Sequence, residues 1–210
     1  MTRGLPPIDE RTLIAAYERV LARAPDDIGQ ADEAGEVTFA EGYERSLRLA
    51  ADFAAHGAGR QQPAALLLDN SLDAVHAWSG LGLGAMVEVP VNTAYKGRFL
   101  SHVLNDSGAG LIVVEDSYSE RLAAVAGELT ALHTVAVRGD VERAAALSRR
   151  FQVVPLAELE EHGSASPVPG DAGDLMASAW PPSCPARCRW SPWCRVTASP
   201  ATPPWPAPAM

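Results

Sequence analysis

The sequence predicts an α/β fold: a mostly parallel sheet flanked by helices. Two observations carry this. Short continuous apolar runs, such as Ala64 to Leu68 and Leu111 to Val114, have the pattern of strands buried on both faces. Between them lie segments with apolar residues at helical spacing, and such alternation is the signature of parallel strands joined by helical crossovers. A third observation limits the fold's extent. All 26 acidic residues lie at or before Asp174, whereas all three cysteines and four of the five tryptophans lie beyond it.

Each element has its own justification. Residues 9–27, DERTLIAAYERVLARAPDD, predict a helix with a stripe of Leu13, Ile14, Tyr17, Val20 and Leu21, stopped by Pro25. In residues 35–59, Thr38 and Glu41 form a capping-box pattern, in which hydroxyl and carboxylate each satisfy a backbone N–H at a helix start. Tyr43, Leu47, Ala50, Ala51 and Ala54 give that helix an apolar face, and Gly57 suits its end. The strand at 64–68 leads through an Asn70-Ser71 turn into a helix over 72–83 and a strand over 85–89, closed by Pro90.

A helix over 95–106 follows, with Phe99, Leu100, Val103 and Leu104 on one side, ended by Ser107-Gly108. Beyond the strand at 111–114, the pattern predicts helix 117–129, strand 133–137, helix 140–150, strand 151–154 and a short helix in 155–163. No internal repeat is strong enough to imply a solenoid. The domain reading is therefore an α/β part over 1–163, a linker over 164–174 by its Ser/Pro/Gly composition, and an aberrant tail over 175–210.

Charge and composition exclude several function classes. A net charge of −9 disfavours nucleic acid and anionic membranes as partners. The opening residues contain no signal-peptide apolar region, and no apolar run approaches the roughly 20 residues of a membrane span. A soluble, cytoplasmic protein is expected.

The candidate chemistry is sparse. Gly80, Gly82 and Gly84 spell G-x-G-x-G, but a dinucleotide loop must follow a strand and open a helix, and here the order is reversed. A glycine-rich helix end is the better reading. The histidines, at 56, 76, 102, 133 and 162, are scattered, and none has a second ligand at metal spacing. Ser101, His102 and Asp106 lie along one predicted helix, where adjacent residues point apart, which disfavours a nucleophilic triad. Glu115-Asp116 follows the carboxyl end of a strand, where such folds place ligand groups, although a solvated loop is the simpler expectation. No catalytic, cofactor-binding or metal-binding residue is assigned.

Residues 87–116, VEVPVNTAYKGRFLSHVLNDSGAGLIVVED, are more specific. They resemble the N-terminal part of the AMP-forming acyl-CoA synthetases, the adenylate-forming superfamily, and look most like members acting on carnitine-like and other small acyl groups. TFAEGYERSLRLAADFAAHG resembles the helix after that family's opening T-[YF]-x-E. AALLLDNSLDAVHAWSGLGLGA resembles its strand, N-S turn and helix leading to G-A. The segments fall in the family's order over residues 36–137 and continue weakly to Asp174-Leu175. One departure stands out. Where the family has a G-D-x-V-A approach to the strand at Ala64, this chain reads GRQQPAA, expected to alter a surface loop but not the fold.

The resemblance implies a ligase that joins a carboxylic acid to coenzyme A using ATP and Mg²⁺, through an acyl-adenylate. It also implies a phosphate loop of the T-S-G-T-T-G-x-P-K-G type just after Asp174-Leu175. The chain instead reads MASAWPPSCPARCRW. Lys96 is its only lysine and cannot replace the family's catalytic lysine, which belongs to a C-terminal domain. The chain is therefore expected to be a truncated, inactive N-terminal fragment that uses no cofactor itself. A non-catalytic binding or scaffold module that reuses the fold is the alternative.

Three readings of the tail compete. Cys184, Cys188 and Cys194 are spaced C-x3-C-x5-C, short of the four ligands of a closed zinc site. A Pro/Trp/Arg segment can serve as an interaction tail. Residues read in a shifted frame through GC-rich DNA give the same mixture, and the loss of every acid and glycine where a family motif is due favours this reading. The tail has no periodic apolar face and is expected to be disordered. Without the family's second α/β unit, residues 9–163 are expected to fold marginally, expose an apolar face and self-associate.

Overall fold

The computed structural model describes residues 7, 10–159, 166–171 and 174–177. His162, the three cysteines and most of the tail lie outside them, as do the readings made of those residues. The elements in chain order are α1 (Leu13–Leu21), β1 (Ile28–Asp32), β2 (Gly35–Thr38), α2 (Phe39–Ala55), β3 (Pro63–Leu67), α3 (Leu72–Leu83), β4 (Val87–Pro90), α4 (Arg98–Ser107), β5 (Leu111–Glu115), α5 (Ser119–Val125), β6 (Thr134–Arg138), β7 (Gln152–Pro155) and α6 (Leu156–Leu159).

Strands β3 to β7 form one five-stranded sheet in the order β4-β3-β5-β6-β7, and every pairing is parallel. The α/β expectation holds. Alternation along the strands sends side chains to two cores. Ala64, Leu66, Leu111, Val113 and Ala136 pack with Leu49 and Phe53 of α2, Ala77 and Leu81 of α3, and Leu156 and Leu159 of α6. Ala65, Leu67, Ile112, Val114, Val135 and Val137 pack on the opposite face with Leu100 and Leu104 of α4 and Leu122 and Val125 of α5. Burial on both faces is why these strands read as unbroken apolar runs.

The capping box forms as the sequence indicates: Thr38 Oγ1 accepts from Glu41 N at 3.2 Å, and Glu41 Oε2 accepts from Thr38 N at 2.9 Å. The glycines at 80–84 serve packing. A Cβ on Gly80 would meet the Ser46 carbonyl oxygen at 2.9 Å, so this glycine lets α3 lie directly on α2.

Several expectations are corrected. Residues 28–38 form a two-stranded antiparallel hairpin ahead of α2. Its strands, IGQAD and GEVT, are short and mostly polar, so they lack the apolar alternation that marks a strand. Helix α1 is shorter than its pattern because Thr12 caps it from inside the predicted span, accepting from Ala15 N at 3.1 Å. Helix α4 begins at Arg98, since Gly97 has φ 54°, a left-handed conformation that suits glycine. Phe99 does not join the core: it is 73% exposed and stacks on Tyr95 with ring centroids 6.3 Å apart. The single helix expected over 117–129 is α5 flanked by 3₁₀ turns, and residues 141–149 are 3₁₀ instead of α-helical.

Among the described residues no helix is long and apolar enough to cross a membrane. Besides Phe99 and Tyr95, the exposed large apolar side chains include Val75, Trp78, Leu175 and Met176.

Candidate functional site

In an open α/β sheet, ligands bind at the carboxyl ends of strands where the strand order reverses. Here that point lies between β3 and β5: the chain passes from β3 to β4 on one side and from β5 onward to β6 and β7 on the other. The crevice is bridged by its own side chains. The Tyr118 hydroxyl, after β5, donates to Asp69 Oδ1, after β3, at 2.6 Å. This bond to the carboxylate raises the phenol above its ordinary value. Arg121 lies over the Tyr118 ring, 4.7 Å from its centroid, and donates to the Thr93 carbonyl at 2.7 Å, which ties the loop after β4 to the same place.

A second group of charges sits at the carboxyl ends of β5 and β6, on the α2/α3 side. Arg138 Nη1 donates to Glu115 Oε1 at 2.6 Å, and its Nε donates to Asp73 Oδ2. Arg45 Nη2 donates to Asp73 Oδ1 at 2.5 Å. Burial pushes the Asp73 carboxyl up, but the hydrogen bond from Arg138 and the charge of Arg45 outweigh it and hold the group below its ordinary value. Asp32 accepts from Leu72 N at 2.8 Å and so joins the β1–β2 hairpin to the start of α3; that bond lowers its pKa.

The structure separates the residues that sequence reasoning had singled out. Glu115 is not in a solvated loop: β5 runs through it, it is 9% exposed, and Arg138 neutralises it. Asp116 accepts from Asp140 N at 3.0 Å and from Arg143 Nη1 at 3.2 Å. Ser101 is buried and donates to the Arg98 carbonyl at 3.3 Å, while His102 is exposed, so they do not form a nucleophilic pair. His56 Nδ1 lies 2.7 Å from the Asp52 carbonyl oxygen, and His133 Nδ1 lies 3.0 Å from Thr134 Oγ1. The His133 ring packs where Cβ atoms on Gly57 and Gly110 would stand. Among the described residues, no three His, Cys, Asp or Glu side chains group to hold a metal. Sequence reasoning missed the Arg45–Asp73–Arg138–Glu115 group because its members come from four elements with no common spacing.

His76 is the other feature of this side. It is fully buried, and neither ring nitrogen has a hydrogen-bond partner. Burial, with the Arg45 charge adding to it, lowers its pKa to about 4 against the pull of Asp73 and Asp32. The folded state thus holds it neutral while the unfolded chain protonates it near 6.5. Stability should be fully present above about pH 6.5 and fall as the pH drops towards 4. His76→Leu should reduce the slope of stability against pH in that window by about one proton. Urea titrations at several pH values measure it; an unchanged slope would refute the assignment.

Chemically, the rim is a set of paired charges. The Asp73, Glu115 and Asp116 carboxylates are each engaged by an arginine, and Asp69 by Tyr118. Such groups tie the strand ends to their flanking elements.

Comparison with known proteins agrees with the fold and the order of segments. The chain is 31% identical to an Escherichia coli long-chain-fatty-acid–CoA ligase over 130 residues, which cover 61% of this chain and 23% of that relative. It is 31% identical to the phosphinothricin tripeptide synthetase PhsC of Streptomyces viridochromogenes over 139 residues, 66% of this chain and 12% of that protein. The chain thus spans about a quarter or less of these relatives. Among solved structures it resembles the anthranilate–CoA ligase AuaEII bound to anthranoyl-AMP, with TM-score 0.72 and 16% identity over 82% of this chain and 32% of that one. A long-chain-fatty-acid–CoA ligase from Archaeoglobus fulgidus gives TM-score 0.69 and 22% identity over 83% of this chain and 34% of that one. At such identities the structures speak for the fold. The sequence model of the AMP-binding enzymes matches residues 17–183, most of the chain and every strand of the parallel sheet. This chain belongs to the AMP-binding enzyme family.

Proposed function

We propose that this chain is the N-terminal strand-and-helix part of an ATP-dependent acyl-CoA ligase and does not itself form acyl-adenylates. One observation carries the reading: the family match runs to residue 183, yet beyond Leu175 the sequence holds no Ser/Thr/Gly-rich phosphate loop. In the complete reaction a carboxylate oxygen attacks the α-phosphorus of ATP and pyrophosphate leaves. The thiol of coenzyme A then takes the acyl group and AMP leaves. Mg²⁺ supplies charge neutralisation of the phosphates in such chemistry. Among the described residues the rim carboxylates are engaged by arginines and by Tyr118, which supports a structural role for them. We assign to them the support of the sheet. Residues 87–116 look most like family members acting on carnitine-like and other small acyl groups but do not identify the acyl substrate of the complete enzyme, and the absence of an apolar leader or span in the sequence supports a cytoplasmic setting.

The alternative, a binding or scaffold module, draws on the same pairing of the rim charges. Reading the coding DNA beyond the codon for Asp174 in all three frames separates the two. A second frame that yields a Ser/Thr/Gly-rich loop followed by Pro-Lys-Gly supports the ligase reading; no such frame favours the module.

The exposed Val75, Trp78, Leu175 and Met176 support a further part of this reading: a second α/β unit covers this side in a complete ligase, and without it the chain self-associates. Light scattering of the purified chain is expected to give a mass above that of the 22.2 kDa monomer, and a monomer at all concentrations would contradict it.

A further inference from the structure

The loop where the sequence departs from its family, at Gln61, Gln62 and Pro63, holds the returning chain together with the preceding Arg60. Arg60 Nη1 donates to the Pro169 carbonyl at 2.5 Å, and its Nη2 pairs with Asp174 Oδ2 at 2.6 Å. The Gln61 amide reads the backbone of Leu175 from both sides: Oε1 accepts from Leu175 N at 3.1 Å, and Nε2 donates to Leu175 O at 3.3 Å. The same Nε2 donates to the Ala85 carbonyl at 3.1 Å, and Gln61 N donates to that carbonyl at 2.7 Å.

These contacts have a consequence one residue further on. Glu88 N, on the outer edge of β4, donates to Met176 O at 2.9 Å, and Ala177 pairs with Glu88 in parallel. Val168 N donates to the Leu83 carbonyl at 2.8 Å. The methyl end of Met176 fills the space where a Cβ on Gly82 would stand. Both Gln61 (φ 56°) and Ala85 (φ 52°) adopt left-handed backbone, which side-chain-bearing residues rarely do. Such backbone is strained for side-chain-bearing residues, so the surrounding contacts must hold the loop in this shape.

We infer that Arg60 and Gln61 form a clasp that fixes the register at which the chain re-enters the sheet, as the start of a sixth parallel strand beside β4. The clasp also covers an edge that would otherwise present unpaired N–H and C=O groups to another chain. Arginine contributes a two-pronged grip on Pro169 and Asp174. Glutamine contributes the strand-like pairing to Leu175.

Amide hydrogen exchange of the full-length chain tests this in Arg60→Ala and Gln61→Gly. The second variant removes the amide but relieves the left-handed strain, so a generally weakened fold is not its expected effect. In both, the Glu88 and Val168 amides should exchange about tenfold faster, as expected for loss of one or two hydrogen bonds, while the Val113 amide inside β5 stays protected. Unchanged protection at Glu88 in both variants would overturn the clasp. An effect in only one variant would overturn its two-residue form. Equal loss at Val113 would show general unfolding and overturn a local clasp.

Discussion

Arg138→Ala is expected to be among the most damaging single changes in this chain. Arg138 ends β6 and neutralises both Asp73 and Glu115. Removing it leaves Glu115, 9% exposed, as a carboxylate without its partner, and leaves Asp73 held by Arg45 alone. Breaking a fully buried pair costs about 3–5 kcal/mol, but the Arg138 side chain is 30% exposed and solvent screens part of this, so about 2–3 kcal/mol is expected. Urea unfolding at neutral pH measures it. The double change Arg138→Met with Glu115→Leu should recover part of the loss, since it leaves no stranded charge. A loss for Arg138→Ala within about 0.5 kcal/mol, the range of ordinary surface changes, would show that the group is a solvated face. The pH sign is fixed by Asp73. Its pKa is lowered in the fold, so its contribution is present above the ordinary carboxylate range and is lost as pH falls through the folded value.

Phe53→Ala should be at least as severe. Phe53 is fully buried among Leu49, Ala77 and Leu81, over the strand residues Ala64 and Leu111. Truncation to alanine leaves an aromatic-sized hole that the surrounding side chains can collapse into only in part. Phenylalanine-to-alanine changes in cores cost about 3–5 kcal/mol, and for a domain of this size that lowers Tm by roughly 10 °C. Differential scanning calorimetry reads the shift. A Tm change of only a degree or two would mean that α2 is not firmly seated on the sheet.

What the sequence makes legible follows from which forces act locally. β3 and β5 are readable because both faces of each are buried and the run is apolar throughout. The start of α2 is readable because a hydroxyl and a carboxylate three residues apart have one obvious use. The β1–β2 hairpin is not readable: its strands are held by backbone pairing and by Asp32 reaching Leu72, and its side chains are half in water. Phe99 misleads because helical spacing gives a face, not what that face meets; Gly97 starts α4 late and Phe99 ends on Tyr95. The charges at the strand ends were legible only in part. Glu115 is marked by its place after an apolar strand, but its partners lie at positions 45, 73 and 138, and only the folded sheet brings them together. The approach to β3 is legible as a departure from a family pattern, and its grip on Pro169, Asp174 and Leu175 appears only in three dimensions.

We propose above that this chain, with the family's N-terminal sheet, does not itself activate a carboxylate. Pyrophosphate release by the purified 210-residue chain tests it most directly, with ATP, Mg²⁺ and a panel of acids from short-chain to long-chain, with and without coenzyme A. No acid-dependent release above that of a buffer control is expected. Turnover that requires both ATP and one of the acids, and that follows the protein through purification, would contradict it.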